Sequence, residues 1–191
     1  MRLLLIGAPG SGKGTQAVRI AERLGITHIS SGDLLRQHVT DGTAIGRQVQ
    51  QYVSRGDLVP DKIVLDMLRK PILAASEAGG YVLDGFPRTV DQAKIAYDTA
   101  RELGVAVQVA IHLAVPMDDL VQRLLSRGRG SDDTQEVIEH RLEVYQAKTE
   151  PMVAYYADRE LLITVDGSQP MDDVTASVLA GLNEHESRLT D

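Results

Sequence analysis

Gly7-Ala8-Pro9-Gly10-Ser11-Gly12-Lys13-Gly14-Thr15 is the stretch on which the fold turns. It stands between an apolar run, Leu3–Ile6, and an amphipathic stretch, Gly14–Leu24, that stops at Gly25. That order reads as a buried strand, a tight turn and a helix closed by a glycine cap. The residue types have a physical reason. Glycines reach positive φ and let backbone N–H groups come close to phosphate oxygens. The next helix adds partial positive charge at its N-terminus. Lys13 is long enough to reach the β- and γ-phosphates of a triphosphate. The usual pattern has Ser or Thr directly after the lysine as a Mg²⁺ ligand. Here Gly14 holds that place and Thr15 comes after it. Two roles stay open to Thr15: contact with phosphate, or contact with the metal through water.

Working outward, three more apolar runs read as buried strands: Tyr81–Leu83, Val105–Leu113 and Leu161–Val165, with Thr27–Ile29 as a shorter fifth. Helical patterns lie between them. Ser31 or Asp33 is expected to cap Leu34–Thr40, and Ile45–Ser54 stops near Gly56. Asp61 is expected to cap Ile63–Arg69, which Pro71 should end or kink. Val90–Leu103, Pro116–Ser126, a long Thr134–Tyr156 and Met171–Glu184 complete the set. Strands alternating with helices imply an α/β protein with a parallel sheet covered on both faces. The segment 30–59 carries no sheet strand and reads as a helical insertion. Arg127–Asp133 is polar and glycine-rich, and is expected to form a mobile surface loop.

Composition bounds what else is possible. The chain has 191 residues, of which 43% are hydrophobic and 25% charged, the balance of one ordinary globular domain. It has no cysteine, so disulfides, thiolate metal sites and a cysteine nucleophile are excluded. Twenty Lys and Arg against 27 Asp and Glu give a net charge of −7, which argues against a broad nucleic-acid surface. Six Tyr, one Phe and no Trp make a base-stacking platform a poor fit. The leucines after Arg2 stop too soon for a signal peptide, and no run approaches the length of a membrane span. A soluble, cytoplasmic protein is the expectation.

Against that acidic background, positive charge gathers in particular places. Tyr81-Val82-Leu83-Asp84-Gly85-Phe86-Pro87-Arg88-Thr89 is an apolar strand that ends in a carboxylate and a turn carrying Arg88. At the C-terminal end of a parallel strand, Asp84 would lie beside the phosphate loop, where it can hold Mg²⁺ or its waters. Ser31-Gly32-Asp33-Leu34-Leu35-Arg36 places another arginine one turn into a helix. Arg123 and Arg127 share a helix face, Arg129 lies in the polar loop, and Arg141 stands in the next helix. One triphosphate with its Mg²⁺ does not need so many guanidinium groups. Two phosphorylated substrates placed head to head would. An acceptor phosphate is already ionised, so such a transfer needs positioning and charge stabilisation and no general base.

Taken with Gly56–Pro60, Gln92 and Val165–Pro170, these stretches resemble the adenylate kinase family of nucleoside monophosphate kinases, in order and spacing, from end to end of the chain. The resemblance implies a P-loop nucleoside-kinase fold: a five-stranded parallel sheet with helices on both faces, a helical NMP-binding insertion and a short lid loop. The core would be 1–29, 60–125 and 137–191, the insertion 30–59 and the lid 126–136. It implies the reaction Mg·ATP + AMP ⇌ 2 ADP. Gly10, Ser11, Gly12, Lys13, Gly14 and Thr15 would wrap the ATP phosphates. Arg123 would lie against the ATP base, Arg127 would face ATP, and the backbone at Gln169 would read the adenine edge. Ser31, Arg36, Arg88 and Gln92 would hold AMP. Asp57, Leu58 and Val59 would line its base and ribose, Gly85, Phe86 and Pro87 would complete the site, and Arg129 and Arg141 would lie on the AMP side. Catalysis would fall to Lys13, Arg88, Arg123, Arg127, Arg129 and Arg141. Mg²⁺ is the expected cofactor, held by Asp84 through water. A lid of about ten residues, in a chain without cysteine, implies no zinc site. The expected partners are the nucleotides ATP, AMP and ADP, with no nucleic acid and no membrane, and the expected state is a monomer. Ser31 with Gln92 favours adenine over the pyrimidine acceptors of the close relatives.

Overall fold

The computed structural model describes residues 1–127 and 134–190. Five parallel strands form one sheet: β1 (Arg2–Ile6), β2 (Thr27–Ser30), β3 (Tyr81–Asp84), β4 (Val109–Ala114) and β5 (Leu162–Asp166), in the order β2-β3-β1-β4-β5. β1 is central because it is apolar at every position that must be buried. Leu3 and Leu5 face one layer with Val82, Val109, Ile111 and Val165; Leu4 and Ile6 face the other with Ile29, Tyr81, Leu83 and Ala110. Strict alternation of faces along a strand explains this division.

The first layer is closed by α1 (Lys13–Leu24) and α9 (Met171–Thr190), through Ala17, Ile20, Ala21, Val174, Val178 and Leu182. The second is closed by α4 (Asp61–Glu77), α5 (Val90–Glu102) and α8 (Pro151–Ala157), and it continues into α2 (Ser31–Thr40) and α3 (Ala44–Arg55) through Leu35 and Val49. A separate cluster of Ala8, Leu120, Leu124, Ile138, Leu142 and Tyr145 joins the phosphate loop to α6 (Met117–Arg127) and α7 (Gln135–Val144). Among the described residues no helix is long and apolar enough to cross a membrane.

The structure corrects several local expectations. The fourth strand begins at Val109, not Val105. The Val105 N–H bonds the Ala100 carbonyl as α5 ends, and Gln108 pairs with the edge of Arg2, so 105–108 is a connection. Pro71 does not end α4, which runs to Glu77. A proline inside a helix costs about 3 kcal/mol. Burial of Val64, Met67, Leu68 and Ala75 on one face opposes that cost. Ser30, and neither Ser31 nor Asp33, caps α2 by accepting the Asp33 N–H. Asp61 does not cap α4; it is the first helical residue, after Pro60. The long helix expected over 134–156 is α7, a π-helical turn at Tyr145–Thr149 and α8, with Pro151 at the helix start it tolerates. α9 extends past Glu184 to Thr190. The expectations for Arg129 and for the mobile loop at Arg127–Asp133, all but its first residue, fall outside the described residues.

Candidate active site

The loops after β1 and β3 lie side by side, since those strands pair with Leu5 opposite Asp84. From β1 the chain crosses by α1 to β2 on one side, and from β3 by α5 to β4 on the other. Such a reversal of strand order leaves a crevice at the strand ends, the usual ligand position in open α/β sheets.

In the first loop, Gly12 takes φ 91° and forms the N-cap of α1, so the helix starts at Lys13. A side chain at Gly10 would press on the Leu120 carbonyl at 3.0 Å, which binds the loop closely to α6. The Lys13 ammonium donates to the Ala8 carbonyl at 2.9 Å, arching over the loop. Ser11 is 2% exposed, and its Oγ has no hydrogen-bond partner among the described residues. Asp84 is 8% exposed, and its Oδ1 has none either. Its Oδ2 lies 3.7 Å from where a Cβ on Gly14 would stand. Buried polar atoms without partners are rare and mark places where a ligand or ion completes the bonding.

A cleft of about 890 Å³ opens here. Gly10, Gly12, Lys13, Gly14, Thr15, Asp84, Gly85, Pro87, Arg36, Arg88, Arg123 and Arg141 all line it. Among its described lining residues five are Lys or Arg, against the carboxylates of Asp33 and Asp84. In a chain of net charge −7 this is a concentrated positive field. Arg123 donates from Nη1 to the Gly167 carbonyl at 3.0 Å, which anchors α6 to the loop carrying Gln169. Two hydrogen bonds from Ser168, above all, hold the Asp166 carboxyl below its usual range; burial opposes them, and the Gln169 side chain and Arg123 add to them.

A narrower pocket adjoins the cleft. Ser31, Arg36, Asp57, Leu58, Val59, Gly85, Phe86, Arg88, Gln92 and Arg141 line it, drawn from α2, the α3–α4 connection, the β3–α5 turn, the start of α5 and α7. Gly56 does two things there. It closes α3 at φ 76°, and a Cβ on it would meet Arg141 Cγ at 2.6 Å. The missing side chain at Gly56 leaves room for Arg141, which lines the pocket from α7. The Arg88 side chain is fixed by Nε donating to the Gly85 carbonyl at 2.7 Å, and its own carbonyl accepts from Thr149 Oγ1 at 2.8 Å. Burial, above all, pulls the Arg88 guanidinium below its usual value; Asp84 opposes this, and Arg36 adds to it. A desolvated cation beside a second cation is stabilised by an anion entering between them.

Sequence reasoning missed four contributors. Asp61 is bonded to Gln92 Nε2 at 2.6 Å. His140 and Asp57 meet at 2.7 Å, joining α7 to the α3–α4 connection across 83 positions. Thr149 holds the Arg88 backbone. His112, on β4 opposite Ile6, keeps Nδ1 buried without a partner among the described residues; burial lowers its imidazole below the usual value, with Glu150 opposing and Lys13 adding. The first three are contacts between segments distant in sequence, and only Thr149, in the π-helical turn, sits in an unusual local conformation.

Fold and cleft together define a nucleotide-binding P-loop protein of the α/β class. A model of the adenylate kinase family matches residues 5–161. An adenylate kinase from Kocuria rhizophila is 44% identical over 184 residues, covering 95% of this chain and 98% of the relative. An adenylate kinase 1 from Nostoc sp. is 45% identical over 181 residues, covering 95% and 98%, and one from Synechocystis sp. is 44% identical over 176 residues, covering 92% and 94%. The chain belongs to the adenylate kinase family and is a phosphotransferase.

Proposed function

We propose that this phosphotransferase moves the terminal phosphoryl group of Mg-ATP to AMP, giving two ADP, and runs reversibly in adenine nucleotide homeostasis. The observation that carries the reading is the convergence of Lys13, Arg36, Arg88, Arg123 and Arg141 on one cleft that continues into a second pocket. One nucleotide does not require five cations and two compartments; two nucleotides meeting at their phosphates do.

The donor triphosphate would lie on the Gly10–Thr15 backbone with Lys13 on its outer phosphates. Arg123, Arg127 and the Gln169 backbone would face the donor nucleotide. AMP would enter the second pocket, its phosphate between Arg36, Arg88 and Arg141 with Arg129 added, and its base among Ser31, Val59 and Gln92. A phosphate oxygen of AMP attacks the γ-phosphorus as the bond to the β-bridging oxygen breaks. No proton has to leave the acceptor, so the chain supplies position and charge.

Asp84 fits a role with Mg²⁺. Its Oδ1 is buried at the cleft without a partner, and among the described residues no group of three or more metal-binding side chains stands ready to enclose an ion. A single carboxylate suits a metal held mainly by water and phosphate. Bound there, Mg²⁺ would offset phosphate charge. The division into core, insertion (30–59) and lid (126–136), and a cytoplasmic monomer, complete the proposal.

³¹P NMR of ATP and AMP with Mg²⁺ tests the reaction: ADP resonances at the expense of both substrates are expected, and binding without turnover overturns it. A coupled assay with AMP, UMP, CMP and GMP tests the acceptor. Higher kcat/KM for UMP or CMP than for AMP replaces this reading with a pyrimidine monophosphate kinase.

A further inference from the structure

Gln92 is 4% exposed, yet it lines the acceptor pocket. Its side-chain amide is held at both ends. Oε1 accepts the Arg88 backbone N–H at 2.7 Å, and Nε2 donates to Asp61 Oδ1 at 2.6 Å. Thr89 caps α5 through the Gln92 backbone N–H, so the residue is anchored at its base as well. These partners decide which end of the amide is which. A backbone N–H only donates and a carboxylate only accepts. Turning the amide over would set N–H against N–H and oxygen against oxygen, leaving buried groups unpaired. Each end keeps one unused capacity, a second Nε2 hydrogen and a second Oε1 lone pair.

The two senses of a primary amide suit different purines. Adenine presents an amino donor at C6 beside an acceptor at N1. A 6-oxopurine presents an acceptor at C6 beside a donor at N1. An amide can pair with either edge, but it must turn over to pass from one to the other. We propose that Asp61 is a positioning residue that fixes the sense of Gln92 and so makes the acceptor site prefer a 6-aminopurine to a 6-oxopurine. This rests on the reading of Gln92 as a contact to the AMP base. Asp61 lies 31 positions from Gln92, at the head of a helix it does not cap, and its side chain is directed to that amide.

The experiment compares kcat/KM for AMP and for inosine 5′-monophosphate at saturating Mg-ATP, in the unsubstituted protein, Asp61→Ala and Asp61→Asn. In Asp61→Ala the AMP-to-IMP ratio is expected to fall by about tenfold, through KM rather than kcat, with KM for ATP changed by less than about twofold. Asp61→Asn keeps an oxygen acceptor and is expected to retain most of the ratio. An unchanged ratio in Asp61→Ala, or equal losses for both acceptors, overturns the assignment, since a merely structural carboxylate gives that result. A second measurement needs no substitution: in ¹⁵N-labelled protein one of the two Gln92 side-chain amide protons, the one donated to Asp61, is expected to exchange slowly with solvent. Rapid solvent exchange of both Gln92 side-chain amide protons overturns the assignment even where Asp61→Ala does not fold. Failure of the underlying reading shows elsewhere, as an unsubstituted protein that uses UMP or CMP better than AMP.

Discussion

On the proposed reading, the phosphate loop and the acceptor pocket would bind the same chemical group by opposite means. The loop comes from nine consecutive residues, Gly7–Thr15, and offers backbone N–H groups, a helix start and one lysine. The pocket comes from segments as far apart as Ser31 and Arg141, and offers side chains held by one another. Arg88 leans on Gly85 and Thr149, Gln92 on Asp61, and Arg141 on the absence of a side chain at Gly56. A backbone cradle is set by local geometry and suits any polyphosphate. A cradle of long side chains must be pre-oriented by tertiary contacts, and it can then choose among bases.

This contrast can be broken by substitution, and the largest effect is expected in the loop. Lys13→Met should lower kcat by on the order of a thousandfold or more while the melting temperature hardly moves, because charge at the transferred group is lost and the backbone cradle stays. A large stability loss, measured by thermal unfolding, would place Lys13 in the architecture instead. Arg88→Ala comes next. It should cost about 2–4 kcal/mol in kcat/KM for AMP and leave ATP binding, followed by calorimetry, nearly intact. Equal damage to both nucleotides would erase the distinction between the two sides.

Gly56→Ala sharpens the comparison with a smaller effect. A β-carbon at φ 76° that meets Arg141 Cγ should remove about 1–2 kcal/mol of stability and raise KM for AMP more than for ATP. An unchanged KM for AMP would detach Arg141 from the acceptor side. The smallest effect concerns His112. Burial holds its folded imidazole below its usual value of about 6.5, so as pH falls through that value the unfolded chain takes up a proton before the fold does. Unfolding then binds a proton below that pH. The stabilising effect of the neutral ring is present above it and lost as pH falls through it. His112→Asn should flatten the decline in melting temperature between about pH 7.5 and about pH 5.5; a decline as steep as that of the unsubstituted protein would remove His112 from the account.

Much of this is legible in the chain because strand and turn signals are local. The run Leu3, Leu4, Leu5, Ile6 announces a strand buried on both faces, and Gly7–Thr15 announces a phosphate loop opening a helix. Even so, local propensity misleads at α4. Proline signals a break, but the apolar face of α4 carries the helix past Pro71. Likewise an aspartate just before a helical pattern reads as a cap, the commonest local use of its side chain, whereas Asp61 bonds a glutamine instead.

By itself the sequence determined the α/β class and the glycine-rich loop that opens α1, because each is written in neighbouring residues with a fixed period or spacing. Only the tertiary structure decided the strand order β2-β3-β1-β4-β5, the meeting of His140 with Asp57, and the grip of Asp61 on Gln92. Those depend on which buried surfaces find each other across tens of residues, and a one-dimensional pattern carries no term for that closure.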